Sequence, residues 1–277
     1  MNKNPLVKYL REGSLPHFFC PGCGAAQVMN YFLQAADRVS LDFDKLVAIG
    51  GVGCTARIPA YLNADALHGV HGRTLPWATG IKLHNPDLKV VIFAGDGDAA
   101  AIGGNHLIQA ARRNLDVVMI VVNNLNYAMT GGQVAPTTLL TLRTMTTPYG
   151  NVEPPFDICK LVMTAGGTFV SRWSTARGRQ GTNAIAKALQ HEGFSLVEFV
   201  AQCPTNFGRR ALRTGDPWKG IQWIEDNSVT LDEARKLSDE ERVTKFVLGD
   251  FVDCRREAFK GSSVYVEEIV AREGKQR

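Results

Sequence analysis

No stretch of the 277 residues approaches the roughly 20 consecutive apolar residues that span a bilayer. Excess charge of one sign is scarce as well: 31 Lys and Arg against 27 Asp and Glu leave a net charge of +4, with the two signs interleaved along the chain. That balance gives little support to nucleic-acid binding, which calls for a basic stripe with interleaved aromatics. A patch such as Arg209, Arg210 and Arg213 suits an anionic ligand or an acidic partner, and a solvated face accounts for it equally well. The segment Met1–Glu12 carries scattered charges and no apolar stretch of signal-peptide length. Internal repeats and low-complexity segments are missing too. The expectation is a cytoplasmic protein with neither a membrane nor a nucleic-acid partner.

With 45% apolar and 21% charged residues, the chain can bury one large core or two modest ones. Strand-like runs at 45–51, 89–95, 116–122, 168–172 and 195–200 alternate with helical patterns at 25–39, 74–83, 101–113, 156–165 and 181–190. This alternation predicts an α/β fold, a parallel sheet with helices on both faces, forming a single domain over 1–277. A turn-rich loop at 16–24 precedes it, and residues 216–277 form a C-terminal extension with helical charge patterning at 231–248. The segment 59–67 is ambiguous. From Leu125 to Pro155 periodicity is lost, and a connection of that length inside a compact domain is usually functional or disordered.

The central unit is the run Lys89–Asp98 followed by a helix and a second strand ending at Asn123-Asn124. In an open parallel sheet, ligands bind at the carboxyl ends of the strands. Gly95 and Gly97 are expected to let the backbone approach a ligand in conformations closed to other residues, while Asp96 offers a carboxylate to a hard cation. Asn124 offers an amide oxygen from the neighbouring strand. Magnesium takes few protein oxygens and completes its shell with phosphate, so this pair suggests a bound diphosphate. Gly-Asp-Gly alone is an ordinary turn; the Asn pair one strand later makes it a candidate site.

Four of the six cysteines sit beside Gly or Pro: Cys20-Pro-Gly-Cys23, Gly53-Cys54 and Cys203-Pro204. Cys54 and Cys203 follow predicted strands, so all four thiols are available to one end of the sheet. That demotes a redox dithiol and leaves structural zinc and a 4Fe-4S cluster open, since both accept four thiolates. Cys159 and Cys254 read as a small buried hydrophobe and a bland thiol.

The longer pattern, Gly95-Asp-Gly-Asp98, Ile102-Gly-Gly-Asn-His106, Asn123-Asn124, Met129-Thr-Gly-Gly-Gln133 and Pro136-Thr-Thr138, resembles the beta subunits of 2-oxoacid:ferredoxin oxidoreductases, and most closely the 2-oxoglutarate enzymes. The likeness extends from about Phe19 to about Arg210. It implies a thiamine diphosphate-binding fold with a cluster-binding loop at 16–24. Mg2+ is implied on Asp96, Asn124 and the backbone carbonyl of Asn126, and a 4Fe-4S cluster on Cys20, Cys23, Cys54 and Cys203. Gly95, Gly97, Asp98 and the loop to Thr130 are expected to meet the diphosphate, and His71 to line the cofactor pocket. A structural histidine is the equal rival for His71. Arg57 is a candidate substrate-carboxylate partner, with a surface arginine as its equal rival.

The reaction so implied is oxidative decarboxylation of a 2-oxoacid, with CoA as acyl acceptor and ferredoxin as electron acceptor, reversible in principle. The family also implies an alpha-type (or fused gamma-alpha) partner subunit, a dimer of αβ pairs, and no activity for this chain alone, because the glutamate that meets the aminopyrimidine ring comes from the partner. Thr55 and Ala128 depart from the usual family wording and keep pyruvate or a branched 2-oxoacid open as substrate. Two rivals stand beside this reading: a non-redox thiamine decarboxylase or synthase, which leaves the cysteines without a task, and a non-catalytic zinc-binding subunit, which leaves Gly-Asp-Gly and Asn-Asn without one.

Overall fold

The computed structural model describes residues 4–259 and 261–274; the remaining positions of the expected 1–277 domain lie outside them. Among the described residues eight strands form one sheet: β1 (Leu46–Gly50), β2 (Asp65–His68), β3 (Lys89–Gly95), β4 (Val118–Asn123), β5 (Phe169–Ser174), β6 (Ser195–Val200), β7 (Ser228–Thr230) and β8 (Phe246–Asp253). Their order across the sheet is β2-β1-β3-β4-β6-β5-β8-β7. From β2 to β5 every pairing is parallel; β8 runs antiparallel to β5, and β7 is parallel to β8.

The near-continuous apolar runs of the central strands are explained by cover on both faces. Alternate residues turn opposite ways: Val91, Phe93, Ile120 and Phe199 enter one core with α1 (Gly24–Arg38) and α5 (Gly178–Gln190). Val90, Ile92, Val121 and Leu196 enter the other with α2 (Thr74–His84), α3 (Gly104–Arg113) and α4 (Ile158–Ala165). On α1 the buried set includes Val28, Phe32, Leu33 and Ala36, the stripe expected of its helical spacing, and Phe32 meets Phe93 edge-to-face at 5.1 Å between ring centres.

Three expectations change. The helical pattern at 231–248 is two short helices, Leu231–Ala234 and Asp239–Val243, followed by β8. Thr230 with Glu233 and Ser238 with Glu241 form two reciprocal capping boxes, each starting a new helix. The segment 216–277 is therefore woven into the sheet through β7 and β8, with Phe246 and Leu248 in a third apolar cluster beside Leu125, Cys203 and Phe207. The ambiguous segment 59–67 resolves into a 3-10 turn, Thr55–Tyr61, leading to edge strand β2. The loop after β4 has neither helix nor strand before α4, as expected. Among the described residues no helix is long and apolar enough to cross a membrane.

Candidate cofactor and cluster site

Four neighbouring strands, β1, β3, β4 and β6, deliver polar residues from their carboxyl ends: Cys54 after β1, Asp96 after β3, Asn124 after β4 and Cys203 after β6. Parallel pairing makes this possible, because it puts all four carboxyl ends on one rim.

At the end of β3, Asp96 is 2% exposed and its Oδ2 accepts a hydrogen bond from Thr137 Oγ1 at 2.5 Å. Burial pushes its carboxyl up to about 7, against the opposing hydrogen bonds from Thr137 and the backbone N–H groups of Asp96 and Gly97, and the negative charge of Glu198 adds to the rise. A carboxylate in such a place needs a cation beside it. One strand over, Asn124 and Asn126 are buried, and Asn126 Nδ2 donates to the Asn124 carbonyl at 2.6 Å, while Asn126 Oδ1 is buried without a hydrogen-bond partner. A buried amide oxygen without a partner just past the end of β4, and a destabilised carboxylate at the end of the neighbouring β3, fit a hard, oxygen-seeking cation. Asn123 does not share this role, since its Nδ2 is bonded to Glu198 Oε1 at 2.8 Å.

Neither Gly95 nor Gly97 has a positive φ, so the expected conformational reason for these glycines is wrong. At Gly97 the reason is space: a side chain there would lie 2.2 Å from the Tyr127 ring, which packs over it, whereas a Cβ on Gly95 would meet no atom within 4 Å.

Asp98 is 3% exposed. Its Oδ1 accepts from Gly72 N at 2.7 Å and Val52 N at 3.4 Å and lies 2.5 Å from His71 Nδ1. It therefore clamps the loops after β1 and β2, and Gly51 is required because a side chain there would sit 2.2 Å from Asp98 Oδ2. His71 is brought to the site: its ring stands edge-on to Tyr127 with centroids 6.3 Å apart. Thr130 is not. It is exposed, and its hydroxyl bonds to Gln133 Oε1 at 2.6 Å, tightening its own turn; Thr137 is the threonine that touches Asp96. Arg57 is exposed on the turn that Cys54 begins, with Arg57 N bonded to Cys54 O at 3.1 Å.

All six cysteines are free thiols. Cys23, Cys54 and Cys203 each stand at the N-terminal cap of a helical segment. The Cys23 thiol is pushed up to about 11 and that of Cys54 to about 12, chiefly by burial, and for each the charges of the other three cysteines of the quartet or two of them add to the rise. Raised in this way, the thiols keep their protons until a cation binds and displaces them. Yet among the described residues no three His, Cys, Asp or Glu side chains converge tightly enough to hold one metal ion. Both a zinc ion and a 4Fe-4S cluster accept four thiolates.

Gln202, invisible in the sequence as a functional residue, bolts this quartet together. Its carbonyl accepts from Gly24 N at 3.1 Å and its Nε2 donates to Gly22 O at 2.9 Å, tying the Cys20–Cys23 loop to the end of β6 beside Cys203. Gly22 has φ +73, and Pro217 fills the space a side chain there would need. Cys159 is buried and Cys254 exposed, and neither joins the quartet.

Comparison with known proteins follows the same lines. Residues 51–199 match the family model "Thiamine pyrophosphate enzyme, C-terminal TPP binding domain", which leaves Cys20, Cys23 and Cys203 outside it. The 2-oxoglutarate synthase subunit KorB of Methanothermobacter marburgensis is 46% identical, covering 92% of this chain and 90% of that one. The corresponding subunit of Methanocaldococcus jannaschii is 45% identical over 92% and 94%. In structure, the chain resembles 2-oxoglutarate:ferredoxin oxidoreductase from Magnetococcus marinus, solved with 2-oxoglutarate, coenzyme A and succinyl-CoA bound, with a TM-score of 0.85, 28% identity, and coverage of 98% of this chain and 92% of that one. The chain belongs to the thiamine pyrophosphate enzymes and, within them, to the family of 2-oxoglutarate synthase KorB subunits.

Proposed function

We propose that this protein is the beta subunit of a cytoplasmic 2-oxoglutarate:ferredoxin oxidoreductase, which converts 2-oxoglutarate and CoA to succinyl-CoA and CO2 and passes the two electrons to ferredoxin. The observation that supports this reading is that Cys54, Asp96, Asn124 and Cys203 follow four neighbouring strands on one sheet rim. A non-redox decarboxylase has no use for the thiols, and a zinc-binding structural subunit has none for Asp96 and the Asn124–Asn126 turn.

Asp96, Asn124 and the backbone carbonyl of Asn126 would hold Mg2+, with diphosphate oxygens completing its shell. Thiamine diphosphate, when bound, supplies the nucleophilic carbon and electron sink that decarboxylation of a 2-oxoacid requires. Around it the chain's own groups position and shield. Tyr127 packs its ring over Gly97. Asp98, an acceptor, keeps the His71 proton on Nδ1, which leaves Nε2 as the nitrogen that can meet a reactant. Arg57 provides a planar guanidinium for a substrate carboxylate. Cys20, Cys23, Cys54 and Cys203 would hold the 4Fe-4S cluster, which accepts electrons one at a time. By the family likeness, the glutamate for the aminopyrimidine ring comes from an alpha-type or fused gamma-alpha subunit, which completes the site in a dimer of αβ pairs.

The test is acceptor reduction by the purified chain, alone and assembled with its partner, using a panel of 2-oxoacids with CoA and ferredoxin. Turnover is expected only in the assembly, with kcat/KM for 2-oxoglutarate at least about 100-fold above that for pyruvate, because a site built for a second carboxylate is left with unpaired polar groups by a substrate lacking it. Robust turnover by the chain alone would defeat the partner requirement, and a preference for pyruvate would overturn the substrate assignment.

A further inference from the structure

Glu198 on β6 is fully buried, and it lies in register with Arg172 on β5 and Val121 on β4. A carboxylate in the middle of a sheet is unfavourable unless both oxygens are satisfied. Here they are: Oε2 accepts from Arg172 Nε at 2.7 Å and from the Cys159 thiol at 3.1 Å, and Oε1 accepts from Asn123 Nδ2 at 2.8 Å. Arg172 also pairs with Asp157, the residue that caps α4, so the ion pair is anchored to a third element.

The bond to Asn123 leads out of this network towards the cation half-site. Asn123 Oδ1 in turn accepts from Leu125 N at 3.2 Å. Leu125 has φ +61, a left-handed conformation that a leucine adopts only when its surroundings impose it, and it stands between Asn124 and Asn126. On its other side Thr138 Oγ1 holds the Leu125 carbonyl at 2.7 Å. The turn that bears the two asparagines is thus gripped from both ends, and one grip reaches back through Asn123 to the buried Glu198–Arg172 pair.

We infer that Glu198, acting through Asn123, is a positioning residue that fixes the geometry of the Asn124–Asn126 turn for the metal ion; this rests on the assignment of Mg2+ to Asp96, Asn124 and Asn126. The Glu198–Arg172 pair gives Asn123 a fixed, charged acceptor, and Asn123 converts it into the strained backbone that presents the ligands. Partners of metal ligands placed in this way change metal affinity by about 10- to 100-fold when they are lost.

The experiment uses the enzyme assembled with its partner subunit and stripped of Mg2+, and measures thiamine diphosphate retained, and turnover, at graded Mg2+ concentrations. For Glu198→Gln and for Asn123→Ala the Mg2+ requirement is expected to rise about 10- to 100-fold. Iron and sulfide content should be unchanged, and turnover should recover at saturating Mg2+, which damage to the fold would not allow. The double variant should be no worse than the more affected single, since both break one chain of contacts. Asn123→Ala leaves the Glu198–Arg172 pair intact and keeps the question decidable if Glu198→Gln does not fold. An Asn123→Ala enzyme with the parent's Mg2+ requirement, beside an Asn124→Ala enzyme whose requirement is raised, would defeat the positioning role alone. An Asn124→Ala enzyme that binds Mg2+ like the parent would overturn the metal assignment and the positioning role with it.

Discussion

Asp96→Ala enzyme, purified anaerobically with its partner, is expected to contain its full iron and sulfide, to retain no thiamine diphosphate on gel filtration, and to oxidise 2-oxoglutarate at least about 1,000-fold more slowly, a loss of about 4 kcal/mol of transition-state stabilisation. The effect should be this large because Asp96 is the only charged member of the half-site, the other two ligands being neutral amide oxygens, and a doubly charged cation at such a site depends on it. Its neighbours cannot replace it. Asp98 faces the loops at Val52 and Gly72, and Glu198 is locked to Arg172 and Asn123. Asp96→Asn keeps the shape and the contact with Thr137 while removing the charge, so it should behave like the alanine variant. Normal cofactor retention by both would show that the cation sits elsewhere.

Cys203→Ala is expected to fail in the opposite half. The assembled enzyme should lose most of its iron and sulfide and still retain thiamine diphosphate, with ferredoxin reduction falling at least about 100-fold. Cys203 begins the turn after β6 and is 8% exposed, next to the Gln202 bolt that draws in the Cys20–Cys23 loop. With one thiolate gone, the space between the other three lacks the fourth ligand that such a cluster takes. Cys254→Ser, on an exposed residue beyond β8, serves as the control and should leave the iron content unchanged. Full iron in Cys203→Ala, or its loss in Cys254→Ser, would reassign the ligands.

Asp96 and Asn124 are legible as a candidate pair because each follows a continuous apolar strand, and a parallel sheet gathers such ends on one rim. The four cysteines are legible as a candidate set for a similar reason: Cys54 and Cys203 follow strands, and Cys20 and Cys23 flank a turn. Thr137 was not, although it stands in the Pro136-Thr-Thr138 motif, because it lies 41 residues from Asp96 in a loop without periodicity, where nothing in the sequence distinguishes it from Thr130. The glycines were identified for the wrong reason. Sequence cannot separate a glycine needed for positive φ from one needed because a Tyr127 ring fills the space of its Cβ. The C-terminal strands escaped notice because two capping boxes mimic one charged helix, and because β8 joins β5 across a bulge at Val170/Ser171 that breaks the simple alternation. Glu198 reads in the sequence as one polar residue in an apolar strand; only the register with Arg172 and the bond to Asn123 give it a task.

The most direct measurement is to mix the anaerobic assembled enzyme with 2-oxoglutarate, without ferredoxin, and to follow the visible absorbance and electron paramagnetic resonance of the cluster. Substrate-dependent reduction is expected in the parent enzyme and none in Asp96→Ala, although the variant's cluster can still be reduced by dithionite. A cluster that stays oxidised in thiamine-loaded parent enzyme, or zinc in place of iron at the four cysteines, would contradict the coupling of the two half-sites on this rim.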